Sequence, residues 1–242
     1  MTLLTVGNPK LMKGEKKGYL SSVLHFAPAN LSGKEVCAKR TAGCTAACLN
    51  TAGRGGIFKK GETTNVIQKA RIRKTKAFFE NRQAFLNELV VEIIKTKTKA
   101  EKQGLIPVFR LNGTSDLAWE KYEVANGKNI FQMFPEVQFY DYTKILARVR
   151  RNTLPNYDIT YSASMYSTAS KKALGKAVVR GHKIAVAFNT KGLKSDNVAV
   201  PAGLVSFDNT DLRPLDAPGS IGYLYRKGSN KAQRATEGAQ SF

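Results

Sequence analysis

Short apolar runs alternate with longer amphipathic stretches along this chain. Each apolar run has the length of a strand and is bounded by polar or turn-forming residues. The strand-like runs cover residues 19–27, 106–111, 137–142, 158–163, 183–188, 203–207 and 221–225. The pattern also predicts a helix over 65–102 with a break near Asn81, and shorter helices over 120–134, 145–152 and 168–181.

Repetition of strand, helix and strand predicts an α/β fold with a parallel sheet and right-handed crossovers. Seven strands in 242 residues suit a (β/α) barrel, complete, partial or open, and a doubly wound open sheet is the alternative. No linker rich in Pro, Gly or Ser divides the chain into separate cores. We therefore predict one barrel-like domain over residues 1–226 and a polar, basic extension over residues 227–242.

Polar residues gather after the predicted strands, where parallel barrels carry their chemistry. The run 110–116 (RLNGTSD) is the densest in hydrogen-bonding groups, so we expect a ligand-binding loop there, although loops are polar in many proteins without binding anything. Asp116 and Asp141 are the carboxylates that we expect to be catalytic. The side chains expected to contact substrate are Arg110, Asn112, Thr114, Ser115, Lys144 and Arg226.

The three cysteines, Cys37, Cys44 and Cys48, lie within twelve residues of one another after the first strand. An odd number of clustered cysteines argues against a disulfide framework. Thiolates are soft ligands that favour zinc or an iron–sulfur cluster, and the C-x6-C-x3-C spacing can bring the second and third cysteines to one face of a helical turn. We therefore predict a metal site in the segment 36–58, with His25 as a candidate fourth ligand.

Three kinds of site fit these cysteines. An iron–sulfur cluster held by three cysteines leaves one iron open, and radical enzymes bind S-adenosylmethionine at such an iron. The location resembles that of radical S-adenosylmethionine enzymes, which carry their cysteines after the first strand of a partial barrel, although their usual C-x3-C-x2-C spacing differs from this one. A closed zinc site is the second alternative, without the usual C-x2-C pair. Three free cysteines packed in a core are the third.

Three segments together carry a resemblance to a known family. They are residues 49–55 (LNTAGRG), which follow the cysteines, residues 109–117 (FRLNGTSDL) and residues 134–144 (FPEVQFYDYTK). In this order they resemble the phage family called gene product 88. The resemblance covers most of the chain and implies an origin in a bacteriophage or mobile element, but it says little about a reaction.

Positive charge is in large excess: 39 Lys and Arg stand against 18 Asp and Glu, for a formal net charge of +21. Clusters of cations lie at residues 69–76 and 148–151 and around the cysteines. Such patches attract phosphate backbones without reading sequence, although a single charge run is often just a solvated helix face. The balance predicts nucleic acid, DNA or RNA, as a partner.

Two functions follow as hypotheses. The first is an enzyme with a metal centre, iron–sulfur before zinc, that acts on nucleic acid or a nucleotide. The second is a non-catalytic nucleic-acid-binding phage protein, active in replication or host takeover, whose cysteines only stabilise the structure. A carboxylate-based nuclease ranks third, because acidic residues are few. The chain has no apolar run long enough for a membrane span and no signal-peptide pattern, so we expect a soluble protein in the cytoplasm.

Overall fold

A computed structural model describes residues 1–7, 9–46, 48–163, 167–188 and 203–225. The strands in these residues are β1 (Leu4–Thr5), β2 (Tyr19–Leu24), β3 (Ile106–Arg110), β4 (Glu123–Ala125), β5 (Lys128–Asn129), β6 (Gln138–Thr143), β7 (Tyr157–Ala163), β8 (Ile184–Phe188), β9 (Val205–Ser206) and β10 (Ile221–Tyr225). The helices are α1 (Pro9–Glu15), α2 (Ala29–Ser32), α3 (Ala42–Ala46), α4 (Val66–Glu80), α5 (Arg82–Lys102), α6 (Ile130–Met133), α7 (Leu146–Arg151) and α8 (Thr168–Val179).

One sheet of eight strands organises the fold, in the order β1-β2-β3-β6-β7-β8-β10-β9. Only β1 runs antiparallel to its neighbour in this sheet; the other pairs are parallel. The predicted α/β class and parallel sheet are therefore confirmed. From β2 to β8 the strands follow chain order without the reversal that a doubly wound sheet requires.

Among the described residues the sheet does not close into a barrel. Closure needs the two edge strands to pair with each other, but the outer edge of β2 pairs with the antiparallel β1, and the opposite edge ends in the two-residue β9. Backbone amides of Leu3 and Leu4 donate to the Glu92 carboxylate at 2.6 and 2.7 Å, and Lys74 Nζ donates to the Leu3 carbonyl at 2.6 Å. These bonds tie the β1 segment to α4 and α5.

The larger core lies between one face of the sheet and helices α4 and α5. The predicted helix break is confirmed at Asn81, whose side chain accepts a hydrogen bond from the Ala84 amide and so caps α5. The buried face of α5 presents apolar side chains with helical periodicity, as predicted. Its neighbours in the core include the buried aromatic cluster Phe26, Phe78, Phe85 and Trp119.

A smaller core covers the other face of the sheet. Val108 of β3 and Tyr140 of β6 pack there against Leu212. The ring of Phe207 lies directly over Gly222 of β10, where a Cβ atom would overlap it, and the Arg213 guanidinium stacks on the same ring at 3.8 Å from its centroid. Residues 205–216 therefore cover this face of the sheet.

The helix predicted over residues 120–134 is wrong for most of its length. A 3-10 turn (Trp119–Lys121) is followed by the hairpin of β4 and β5, and α6 occupies only the last part. Asn126 and Gly127 both have positive φ, 53° and 71°, so they form the tight hairpin turn that an Asn-Gly pair favours. The helices predicted over 145–152 and 168–181 correspond to α7 and α8. Within the described residues, no helix has the length and apolar character needed to cross a membrane.

Candidate functional site

A cavity of about 300 Å³ opens at the carboxyl ends of the parallel strands. One wall, here called the cysteine wall, consists of residues 37–46, 48 and 49 and contributes Cys37, Lys39, Arg40, Cys44, Cys48 and Leu49. The second, the loop wall, is residues 110–116 and contributes Arg110, Asn112, Gly113, Thr114, Ser115 and Asp116. The remaining side comes from later strand ends: Tyr142, Thr143, Lys144, Ser162, Ala187, Asp208, Asp211, Leu224 and Tyr225.

The cavity brings together most of the residues singled out from the sequence. All three cysteines line it, with Asp116, Lys144 and the four expected substrate contacts of the loop wall. Asp141 and His25 are not in its lining. Arg226 and the predicted extension 227–242 lie outside the described residues.

Many polar groups of the loop wall form hydrogen bonds that hold the loop itself in place. The Asn112 backbone amide and side-chain amide both donate to Asp141, at 2.7 and 3.2 Å. The Asn112 side-chain oxygen accepts from Ser115 Oγ, the Leu117 amide and Trp119 Nε1. These partners are buried, so the dense hydrogen-bonding pattern that predicts a ligand loop has a structural explanation at Asn112 and Ser115.

Thr114 and Gly113 fix the loop wall to the end of β2 and to the residues that follow it. Thr114 Oγ1 donates to the Phe26 carbonyl at 2.6 Å, and the Gly113 amide donates to the Leu24 carbonyl at 2.9 Å. A Cβ atom at position 113 would stand 2.5 Å from Val23 Cγ1 and 2.7 Å from the Leu24 carbonyl oxygen. The close approach of the two backbones therefore requires glycine at this position.

Asp116 is held by the first helix after β6. Arg148 of α7 donates to Asp116 Oδ1 at 2.6 Å and forms two further hydrogen bonds with Glu120, and the Lys144 amide donates to Asp116 Oδ2 at 2.9 Å. Only 6% of the Arg148 side chain is exposed. Both carboxylate oxygens of Asp116 are engaged, which suits an anchor of the loop wall better than a free catalytic base.

Asp141 lies beneath the loop wall, on the face of the sheet that carries the helices. Besides the two bonds from Asn112, it accepts one from Tyr157 Oη at 3.0 Å. Burial raises the pKa of Asp141 to about 7 against the opposing effects of Arg110 and these hydrogen bonds. The side chain orients Asn112 and has no place in the lining of the cavity.

The cysteine wall is held mainly by short-range contacts. Thr41 Oγ1 accepts a hydrogen bond from the Cys44 backbone amide at 3.1 Å, so the Thr41 side chain caps α3. The same oxygen lies 3.1 Å from Cys44 Sγ. Cys37 Sγ is 4.0 Å from the Thr114 carbonyl oxygen. All three cysteines are free thiols, and burial raises the pKa of Cys37 to about 12 and that of Cys48 in the same direction.

Thiols with raised pKa values stay protonated at neutral pH unless a cation displaces the protons. Among the described residues, no group of three His, Cys, Asp or Glu side chains is arranged to hold a metal ion. His25 sits beside Gly113 at the end of β2, and burial lowers its pKa to about 3, so its imidazole is neutral. Its buried Nδ1 has no hydrogen-bond partner among the residues that the structure describes.

The polar group at the base of the cavity contains Arg110, an expected substrate contact, and its partner Asp211, which the sequence interpretation missed. Arg110 pairs with Asp211 at 3.0 Å and stacks over the Tyr142 ring at 4.7 Å from its centroid. The buried Tyr142 hydroxyl has no hydrogen-bond partner in the described part of the chain. Alternation along β3 and β6 could have placed Arg110 and Tyr142 on one face. Asp211 lies in an irregular segment, so no periodic signal marks it.

Comparison with known proteins gives one result. A model of the gene product 88 family matches residues 2–240, which is nearly the whole chain. No curated protein and no solved structure shows significant similarity to it. The match confirms the resemblance drawn from the cysteine segment, the loop wall and β6. The chain is a member of the phage gene product 88 family.

Proposed function

We propose that this phage protein binds nucleic acid or a nucleotide in the strand-end cavity, and that Cys37, Cys44 and Cys48 form a metal centre in its wall. An iron–sulfur cluster is the first candidate for that centre and zinc the second. One observation carries the proposal: three cysteines and the loop wall line the same cavity, at the edge of a parallel sheet where ligands bind.

The other lining residues support a phosphate-bearing ligand. Lys39 and Lys144 line the cavity, and neither takes part in an ion pair among the described side chains. Arg40 is also there, paired with Glu35. The rings of Tyr142 and Tyr225 offer apolar surface on which a base could stack. Cations for the phosphate and rings for the base are the two elements that nucleotide binding needs.

The metal centre would change the state of the cysteine wall. A thiophilic cation binds thiolates, so loading would release protons from thiols that burial otherwise keeps protonated. The three sulfurs do not form a closed ligand set as they stand. Loading would therefore require the short helix α3 and its flanks to move. An open iron of a three-cysteine cluster would also offer a place for S-adenosylmethionine.

The non-catalytic hypothesis has its own support. Asp116 and Asp141, the expected catalytic carboxylates, are engaged in partly buried and buried hydrogen bonds, respectively, that position the loop wall. A divalent-metal nuclease needs carboxylates that are free to bind the ion. These contacts favour nucleic-acid binding over carboxylate-based hydrolysis, so a binding protein whose cysteines stabilise the cavity is the second candidate function.

Anaerobic purification tests the metal centre. We expect a brown protein with bound iron and absorption near 400 nm, and loss of that absorption in Cys44→Ala. Thr45→Ala is the matched control, since Thr45 is exposed and adjacent to Cys44. A colourless protein with stoichiometric zinc would contradict the iron–sulfur cluster and support the zinc site. Absence of any metal from wild type and variant would overturn the metal centre.

Titration with nucleotides and short DNA and RNA strands completes the experiment. Binding that weakens steeply with salt, and that is reduced in Lys144→Ala, supports the cavity as the site. Equal affinity of wild type and Lys144→Ala at low salt would remove the cavity from the binding surface.

A further inference from the structure

A second concave surface lies far from the cavity, between α7 and α8. This groove is lined by Arg150, Gly175, Lys176, Val179 and Arg180. The carboxyl ends of both helices lead to the amino ends of β7 and β8, so the groove lies at the opposite edge of the sheet from the cavity. The sequence cluster around residue 150 thus divides: Arg148 turns inward to hold the loop wall, and Arg150 faces the groove.

The charge of the groove is not balanced by its surroundings. Its lining has three cations and no carboxylate, and no ion pair among the described side chains involves any of the three. Two helix carboxyl ends contribute about −0.5 charge each, which leaves a net charge of about +2. The positive charge also affects His182, which lies nearby. Burial lowers the pKa of His182, and the charges of Arg180 and Arg150 lower it further.

Gly175 lines the groove without a side chain. Glycine is unfavourable in a helix interior, and a Cβ atom at this position of α8 would have no neighbour within 4 Å. Packing therefore gives no reason for a glycine. An alanine methyl group would fit at this position, whereas a long acidic side chain would extend beside the cations of the groove.

The exposed surface of α8 continues the positive charge beyond the groove. Lys172, Lys176 and Arg180 are exposed and four residues apart, so they follow one line along the helix for about 12 Å. The sequence of α8 contains no acidic residue. A row of cations of this length suits successive phosphates of one strand. A membrane-binding helix would instead need a wide exposed apolar face, and here the exposed apolar residues are Val178 and Val179 at the end.

We propose that the groove between α7 and α8 is a phosphate-binding site that takes the backbone of a nucleic acid. The identity of the partner rests on the proposed function, whereas the phosphate site does not depend on the cavity or on a metal. A strand held at both sites would cross from one edge of the sheet to the other over the helices.

The test compares two charge-matched double variants. Arg150→Ala with Arg180→Ala removes two groove cations, and Lys95→Ala with Lys99→Ala removes two exposed cations from α5. We expect the groove variant to bind a labelled 20-nucleotide strand at least tenfold more weakly, with a salt slope reduced by about 1.4, and the α5 variant to change affinity less than threefold. Equal losses of affinity in the two variants would overturn the groove as a binding site. Non-specific attraction by the net charge would then explain the binding.

A second readout separates the groove from the proposed function. The chain has two histidines, and His25 is buried, so the NMR signals of His182 can be followed directly. Pyrophosphate in the groove neutralises nearby charge and should raise the pKa of His182 in wild type and in Gly175→Ala, but not in Gly175→Glu. This response without nucleic-acid binding would confirm the phosphate site and reject its partner. No response in wild type would overturn the site itself.

Discussion

The two walls of the cavity differ in how they are held. The loop wall is fixed by buried or partly buried hydrogen bonds to Phe26 just after β2, to Asp141 of β6 and to Arg148 of α7, all distant in sequence. The cysteine wall rests largely on contacts within itself, such as the cap that Thr41 provides for α3. Longer-range hydrogen bonds hold the residues that flank it: the Asp116 amide donates to the Val36 carbonyl, and the Arg71 side chain donates to the Asn50 carbonyl.

This difference assigns separate roles to the two walls. A ligand can be aligned by a wall that does not move, and a metal centre can be assembled only by a wall whose ligands can approach one another. Several polar side chains of the loop wall therefore hold the loop in place, and the proposed metal centre would depend on the more adaptable cysteine wall. Variants in the two walls should have correspondingly unequal effects on stability.

The largest effect is expected when the anchor of the loop wall is removed. Arg148→Met leaves the carboxylate of Asp116 buried without its cation, which should lower the free energy of unfolding by about 3–5 kcal/mol. Urea denaturation measures the change, with the exposed Arg151→Met as the matched control. A loss below about 1 kcal/mol would contradict the fixed loop wall.

A pH-dependent effect is expected at Asp141. An aspartate in an unfolded chain has a pKa of about 3.9, and burial raises the pKa of Asp141 to about 7, so between these values the folded protein holds more protons. The stability contributed by this group is present at low pH and is lost as pH rises through 7, by up to about 1.4 kcal/mol per pH unit. Asp141→Asn should remove that slope in denaturation measured from pH 4 to 7. Parallel pH profiles for the two proteins would rule out the raised pKa.

The smallest effect is expected in the cysteine wall. Thr41→Val removes the cap of α3 and should cost about 1 kcal/mol, because the segment contributes little to the larger core. Thr45→Val, at an exposed neighbouring position, should change stability by less than about 0.5 kcal/mol. If Thr41→Val were as damaging as Arg148→Met, the two walls would not differ in rigidity.

Periodic features were the ones that the sequence could reveal. Strands such as 106–111 and the helix break at Asn81 carry their pattern locally, and the positions after strands lead to the cavity because parallel strands end at one edge. The sequence does not distinguish a polar group that meets a ligand from one that meets its own backbone. Asn112 and Asp116 line the cavity and also bond to their own chain, so their contact with substrate and role in catalysis stay predictions. The Asn-Gly hairpin lies in a stretch whose pattern predicts helix.

The remaining differences between the sequence-based expectations and the structure arise from long-range pairing. Closure of the barrel depends on whether two edge strands meet, and β1 is a two-residue strand that periodicity does not reveal. Asp211 reaches Arg110 across 101 residues of chain. Local patterns contain no information about such partners.

The contribution of residues 203–225 to the cavity also sets an order of assembly. Asp208, Asp211, Leu224 and Tyr225 line one side of it, so the cavity is incomplete until β10 has paired with β8. A chain emerging from the ribosome presents β2, β3 and β6 long before these residues. The cavity is therefore completed late in synthesis, and a nascent or truncated chain should expose its cysteines without the complete cavity around them.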